Sequence, residues 1–138
     1  NGKVYVTHLG DSRAYLIRGY DVQQLTLDHS VAQALVNNGA LTAEEARHSP
    51  YQHVLHKFLG CSDLQGNIEV IPFVPQDNDW LLLGTDGLTN YITEDDLRVG
   101  PKLYPDPQLW IDHLVQQALD RGSRDNVTGV VIAFDEIR

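Results

Sequence analysis

Apolar and polar residues alternate along Lys3-Val4-Tyr5-Val6-Thr7-His8, the period of a half-buried strand. Residues 13–18 (Arg-Ala-Tyr-Leu-Ile-Arg) make a second β-rich run, with Leu9-Gly10-Asp11-Ser12 between the two as a turn. Gly19 to Asp21 reads as another turn, leading to a short run that ends at Leu27. The first thirty residues are therefore expected to form an antiparallel meander. The period changes at Ser30. Ser30 and Gln33 make a capping box, and Gly39 supplies a left-handed stop. Val31, Leu35 and Val36 share one face of that helix, which predicts packing against something apolar. Thr42 and Glu45 form a second capping box and open a short helix.

Residues 47–63 show little periodicity and read as an irregular surface stretch. Two further strands are expected at 67–74 and 79–84, and Pro72 and Pro75 make the end of the first an edge or a bend. The run Trp80-Leu81-Leu82-Leu83-Gly84-Thr85 is nearly all apolar, as in a central strand covered on both sides, and Asp86-Gly87 ends it. Thr93 and Asp96 resemble another cap. Asp106, followed by Pro107 at the first helical position, opens a longer helix to Leu119. Its apolar stripe is Trp110, Leu114 and Ala118, with Ile111 and Val115 alongside. Residues 127–134 are expected to be a final buried strand. Strands neighbour one another in sequence and helices come in separate groups, so an α+β fold with antiparallel sheet is favoured over a doubly wound one.

Composition narrows the class. The 138 residues fit one domain, and 42% hydrophobic with 21% charged residues is ordinary globular usage. No apolar run approaches 18 residues and no basic-then-apolar leader is present, so neither a membrane partner nor a signal peptide is expected. The single Cys61 excludes an internal disulfide and a cysteine-based zinc site, and fits a reducing, cytoplasmic setting. Ten Lys and Arg against nineteen Asp and Glu give a net charge of −9, which argues against a nucleic-acid partner. The chain starts at Asn1 and contains no Met, so it reads as a piece of something longer.

Three aspartates share one structural situation. Asp11 lies between two expected strands, Asp86 closes the most apolar strand, and Asp125 precedes the last one. Carboxylates at strand ends can converge at one rim of a sheet, and hard cations such as Mg²⁺ and Mn²⁺ take such oxygen ligands. Each aspartate also has a plain reading as turn or cap punctuation. Singly, punctuation is the better reading; together, the two readings balance. His53 and His56 have the i, i+3 spacing of two ligands on a helix face, with His48 nearby, but a structural zinc site wants four ligands. His29 reads as part of a local turn, and Arg13 as the partner of a surface carboxylate rather than of a phosphate.

Four ordered segments go further: Gly10-Asp11-Ser12-Arg13-Ala14, Leu25-Thr26-Leu27-Asp28-His29-Ser30, Leu83-Gly84-Thr85-Asp86-Gly87-Leu88-Thr89 and Ser123-Arg124-Asp125-Asn126-Val127-Thr128. They resemble, in order, the signature segments of the type 2C, or PPM, serine/threonine phosphatases of the bacterial branch. Residues 35–46 resemble the stretch before that family's flap, and residues 43–62 its flap beside the active site. The resemblance implies the C-terminal part of an α-β-β-α sandwich with mainly antiparallel sheets, here a single partial domain over 1–138. It implies Mg²⁺- or Mn²⁺-dependent hydrolysis of phosphoserine and phosphothreonine in proteins, by a metal-bridging water. Asp86 and Asp125 match carboxylates of the binuclear centre, and Asp11, with Asp86, matches the holder of a third metal.

The family's bridging Asp-Gly pair and its phosphate-gripping Arg belong to an N-terminal half with no counterpart here. The segment alone is thus expected to have little activity, with no catalytic residue of its own beyond these ligands. The alternative is a non-catalytic, phosphatase-like interaction module. Either way, a surface left open by the missing half is expected to favour self-association.

Overall fold

The computed structural model describes residues 2–62, 64 and 68–136. Six strands are formed: β1 (Val4–Thr7), β2 (Arg13–Arg18), β3 (Asp21–Gln24), β4 (Val70–Phe73), β5 (Asp79–Gly84) and β6 (Gly129–Phe134). Five helices accompany them: α1 (Val31–Asn37), α2 (Ala43–Arg47), α3 (Asp86–Thr89), α4 (Glu94–Leu103) and α5 (Pro107–Asp120). One sheet has the order β3-β2-β5-β6 and the other pairs β1 with β4, all antiparallel. The α+β reading with antiparallel sheets holds.

Side-chain alternation on β2 and β5 separates two cores. Tyr15, Ile17, Trp80 and Leu82 point to the helical side, where Leu88, Leu97, Trp110, Ile111, Leu114 and Ala118 meet them. Trp80 and Trp110 lie with ring centroids 5.2 Å apart, a favourable tilted contact. Each fully buried apolar side chain of this kind contributes about 1.5–3 kcal/mol relative to exposure. On the opposite face Ala14 and Leu81 pack with Val6 of β1, flanked by Ile71 and Phe73 of β4. Asp79 is charged and only 1% exposed, but Arg18 donates to both of its oxygens at 2.8 and 2.7 Å. Burial pushes the Asp79 carboxyl up. The bonds from Arg18 and from the Gln76 N–H nevertheless hold it below the ordinary carboxylate value.

The local signals predicted most boundaries. Ser30 caps α1, with Gly39 left-handed at φ 74°; Thr42–Glu45 and Thr93–Asp96 form reciprocal capping boxes; Asp106 caps α5. Three expectations change. The opening meander is only the β2–β3 hairpin, because β1 leaves through Gly10 (φ 97°) and pairs with β4 in the other sheet. β4 is accordingly an edge strand, which its Pro72 tolerates. Residues 127–134 do not form a buried strand throughout. β6 starts at Gly129, and only its helical side is covered, leaving Val130 and Ile132 52% and 41% exposed on the other. On α1 the fully buried residue is Ala32, while Val31, Leu35 and Val36 are half-buried.

Candidate metal centre

Register brings the aspartates together. Antiparallel pairing of β2 with β5 sets Arg13 opposite Gly84, so the residue two before Arg13 and the residue two after Gly84 leave the sheet at the same end. Those residues are Asp11 and Asp86. Pairing of β5 with β6 sets Gly84 opposite Gly129, which brings the segment holding Asp125 to that rim as well. The three sequence-selected aspartates thus share one end of the four-stranded sheet.

Each is held by local bonding. Gly10 turns the chain in a left-handed conformation, and it exchanges bonds with His29: the His29 N–H donates to the Gly10 carbonyl at 2.9 Å, and the Gly10 N–H to His29 Nδ1 at 3.2 Å. His29 is stacked on His8, with centroids 4.5 Å apart. Burial, with His8, Lys57 and His56 around it, lowers the His29 pKa and favours the neutral ring that can accept from Gly10. His29 thus ties the Gly10 turn to a distant segment, where the sequence suggested a local turn element.

Arg13 is engaged by Asp28 through two bonds, at 2.8 and 2.7 Å, which raises its pKa. It pairs with a carboxylate, as its place at a strand start suggests.

Asp86 begins α3 behind the cap residue Thr85, and its Oδ1 accepts from the Gly87 N–H at 2.8 Å. The 123–128 loop is stapled against this turn. The Thr85 N–H donates to the Thr128 carbonyl at 3.1 Å, the Thr128 N–H returns a bond to Thr85 Oγ1 at 3.2 Å, and the Ser123 hydroxyl donates to the Gly87 carbonyl at 2.8 Å. Gly87 permits that approach, since a Cβ there would lie 3.4 Å from the Asp125 Cβ and closer still to the Asn126 backbone. The Asp125 Oδ1 accepts from the Asn126 N–H at 2.7 Å.

Among the described residues, one group of metal-capable side chains converges: Asp11, Asp86 and His53, with ligand atoms within 4.8 Å of one another. Asp125 lies outside this group although its loop touches the Asp86 turn. Burial and then the Asp86 charge push the Asp11 carboxyl above its ordinary value. Asp11 and His53 also line a polar cleft of about 850 Å³.

His53 was not selected for this place by the sequence. Its spacing to His56 suggested a shared helix face, but the described part of 48–62 holds turns and a single bridge between Ser30 and Leu55, with no helix. His56 instead meets the His29 ring edge-on, and His48 lies 3.2 Å from Glu44. The loop bearing His53 docks on the start of α1, whose Val31 and Ala32 N–H groups donate to the Val54 and Tyr51 carbonyls at 2.7 and 3.3 Å.

Known proteins share both the sequence and this arrangement of strands. No family model matches the chain. The serine/threonine phosphatase Stp of Listeria monocytogenes is 33% identical over 135 residues, 96% of this chain and 52% of that protein. A serine/threonine phosphatase from S. agalactiae superposes with a TM-score of 0.88 at 27% identity, over 97% of this chain and 55% of its own. The PPM Ser-Thr phosphatase MsPP of Mycobacterium smegmatis, solved with cacodylate, superposes with a TM-score of 0.75 at 39% identity, over 94% of this chain and 55% of its own.

In sequence and in fold the chain is similar to the bacterial PPM-type serine/threonine phosphatases. It spans about half the length of the relatives it matches. The family is enzymatic, and the resemblance read from the four segments is confirmed. A further family structure, the catalytic domain of PstP, carries two manganese ions and matches with a TM-score of 0.73 at 28% identity.

Proposed function

We propose that this chain forms part of a Mg²⁺- or Mn²⁺-dependent phosphatase acting on phosphoserine and phosphothreonine in proteins. The apposition of Asp11 and Asp86 at one sheet rim carries the reading, in a chain matched along nearly all its length by serine/threonine phosphatases. The manganese ions of PstP support a cation there. Asp86 and Asp125 serve as carboxylates of the main centre, and Asp11 joins Asp86 at an accessory position. A divalent cation at such a site supplies a water acidified to a pKa of about 7 and offsets charge on the phosphoryl oxygens.

The residues of this chain bind and orient. The β2–β5 register holds Asp11 and Asp86 at a set separation, and the Thr85–Thr128 staple keeps Asp125 against the Asp86 turn. Residues 43–62 are assigned as the flap that borders the substrate. The free Cys61 suits a cytoplasmic setting, and no helix among the described residues is long and apolar enough to cross a membrane.

Two measurements test the proposal. Mn²⁺ should raise the melting temperature of the chain, and Asp86→Ala should abolish the rise. The 138-residue chain alone should hydrolyse a phosphoserine peptide slowly or not at all, since it holds two carboxylates of the main centre and spans half its relatives. A flat Mn²⁺ response would favour the second reading, a non-catalytic interaction module. One observation supports that reading: the open apolar surface of Leu83, Val130 and Ile132, through which two copies would associate.

A further inference from the structure

We propose that His53 is a nitrogen ligand to the cation held by Asp11 and Asp86, so that this position prefers Mn²⁺ and other transition metals over Mg²⁺. The inference rests on the metal reading above and adds a ligand to it.

Three chain segments contribute the donors: the loop after β1, the first residue of α3, and the 51–54 turn. Around one ion with bonds of about 2.1 Å, donor atoms stand about 3.0 Å apart when adjacent and about 4.2 Å when opposite. A mutual separation within 4.8 Å therefore needs only a small inward turn of the three side chains. No Lys or Arg among the described residues forms an ion pair with Asp11 or Asp86, and Arg13, whose charge reaches Asp11, is engaged by both oxygens of Asp28. Neither facing carboxylate is ion-paired among the described residues, and the His53 side chain completes the group.

His53 is also held in place. The carbonyls of Tyr51 and Val54, on either side of it, accept the first N–H groups of α1, so the turn is fixed to the helix rather than hanging free. Imidazole beside two carboxylates is a donor set suited to Mn²⁺, Co²⁺, Ni²⁺ or Zn²⁺, whereas Mg²⁺ favours oxygen and retained water. Three protein donors leave open positions for water or a phosphoryl oxygen.

The test uses Mn²⁺ and Mg²⁺ titrations by calorimetry, with pulsed electron paramagnetic resonance of the Mn²⁺-loaded chain. The wild type should show ¹⁴N modulation from a bound imidazole. His53→Ala should lose it and weaken Mn²⁺ binding by about tenfold or more, with Mg²⁺ affinity nearly unchanged. His56→Ala should keep both the signal and the affinity. Mn²⁺ that binds in an Asp86-dependent way without ¹⁴N modulation would overturn the role of His53 and leave the carboxylate site standing. A ¹⁴N signal that survives in His53→Ala would do the same. Absence of any Asp86-dependent Mn²⁺ binding would overturn both. His53 is exposed, so its loss should leave the fold intact.

Discussion

At the scale of single residues the chain accepts a local cost at its sheet rim. Burial raises the Asp11 carboxyl, and the facing Asp86 charge raises it further. Asp11→Asn should therefore leave the metal-free melting temperature unchanged or slightly higher. It should also remove much of the Mn²⁺-induced stabilisation, which reaches about 2.7 kcal/mol at a hundredfold excess over Kd. Thermal melts with and without Mn²⁺ read both effects. Gly87 poses the opposite case. An added methyl meets the Asn126 backbone, which no rotamer change relieves, so Gly87→Ala should cost about 1–3 kcal/mol in chemical denaturation. The places of Asp11, Asp86 and Asp125 at strand ends were legible in sequence from the runs they close or precede. His53 was not, because the spacing that pairs it with His56 presupposes a helix absent from that stretch.

Among elements, the junction of α4 and α5 gathers several bonds on one carboxylate, Asp96. Asp96 closes the capping box at the start of α4, accepting from the Thr93 N–H at 2.7 Å, and it receives Arg121 from the end of α5 at 2.6 Å. Burial raises the Asp96 carboxyl, but the Arg121 and Thr93 bonds outweigh it and bring its pKa down to about 2 from the ordinary 3.8. A depressed carboxylate pKa stabilises the fold above the unfolded value, and the contribution fades as pH falls through the folded one. Asp96→Asn should accordingly be less stable than wild type at pH 7, and the gap should close between about pH 4 and pH 2. Urea midpoints of both proteins across that range give the answer.

Deeper in the same junction, Gly100 lies against Trp110, where a Cβ would fall 2.5 Å from the indole Nε1. Alanine gains about 1 kcal/mol of helix propensity over glycine, yet overpacking against a fully buried ring costs about 1–3 kcal/mol. Gly100→Ala should be destabilising, and a higher denaturation midpoint would refute the close packing. The caps of α4 and α5 were visible in sequence because a cap is a short-range pattern. The clash at Gly100 was not, since it depends on how α5 sets Trp110, ten residues further on, against it.

For the whole molecule, the uneven cover of the four-stranded sheet dominates. Helices cover one face, while the two-stranded sheet covers part of the other and leaves Leu83, Val130 and Ile132 open. Replacing Val130 and Ile132 by Lys should change the melting temperature little, because little burial is lost. It should also reduce concentration-dependent self-association in sedimentation velocity.

What the sequence determined by itself was local or repetitive: strand and helix periods, caps, the apolar central strand, and motifs dense enough to reveal the family. Those signals are short-range, so they need no partner to be read. Tertiary structure alone decided that β1 joins β4 instead of β2, that β6 is covered on one side only, and that His53 turns toward Asp11 and Asp86. Each depends on which segments meet across the fold, and chain spacing does not encode that.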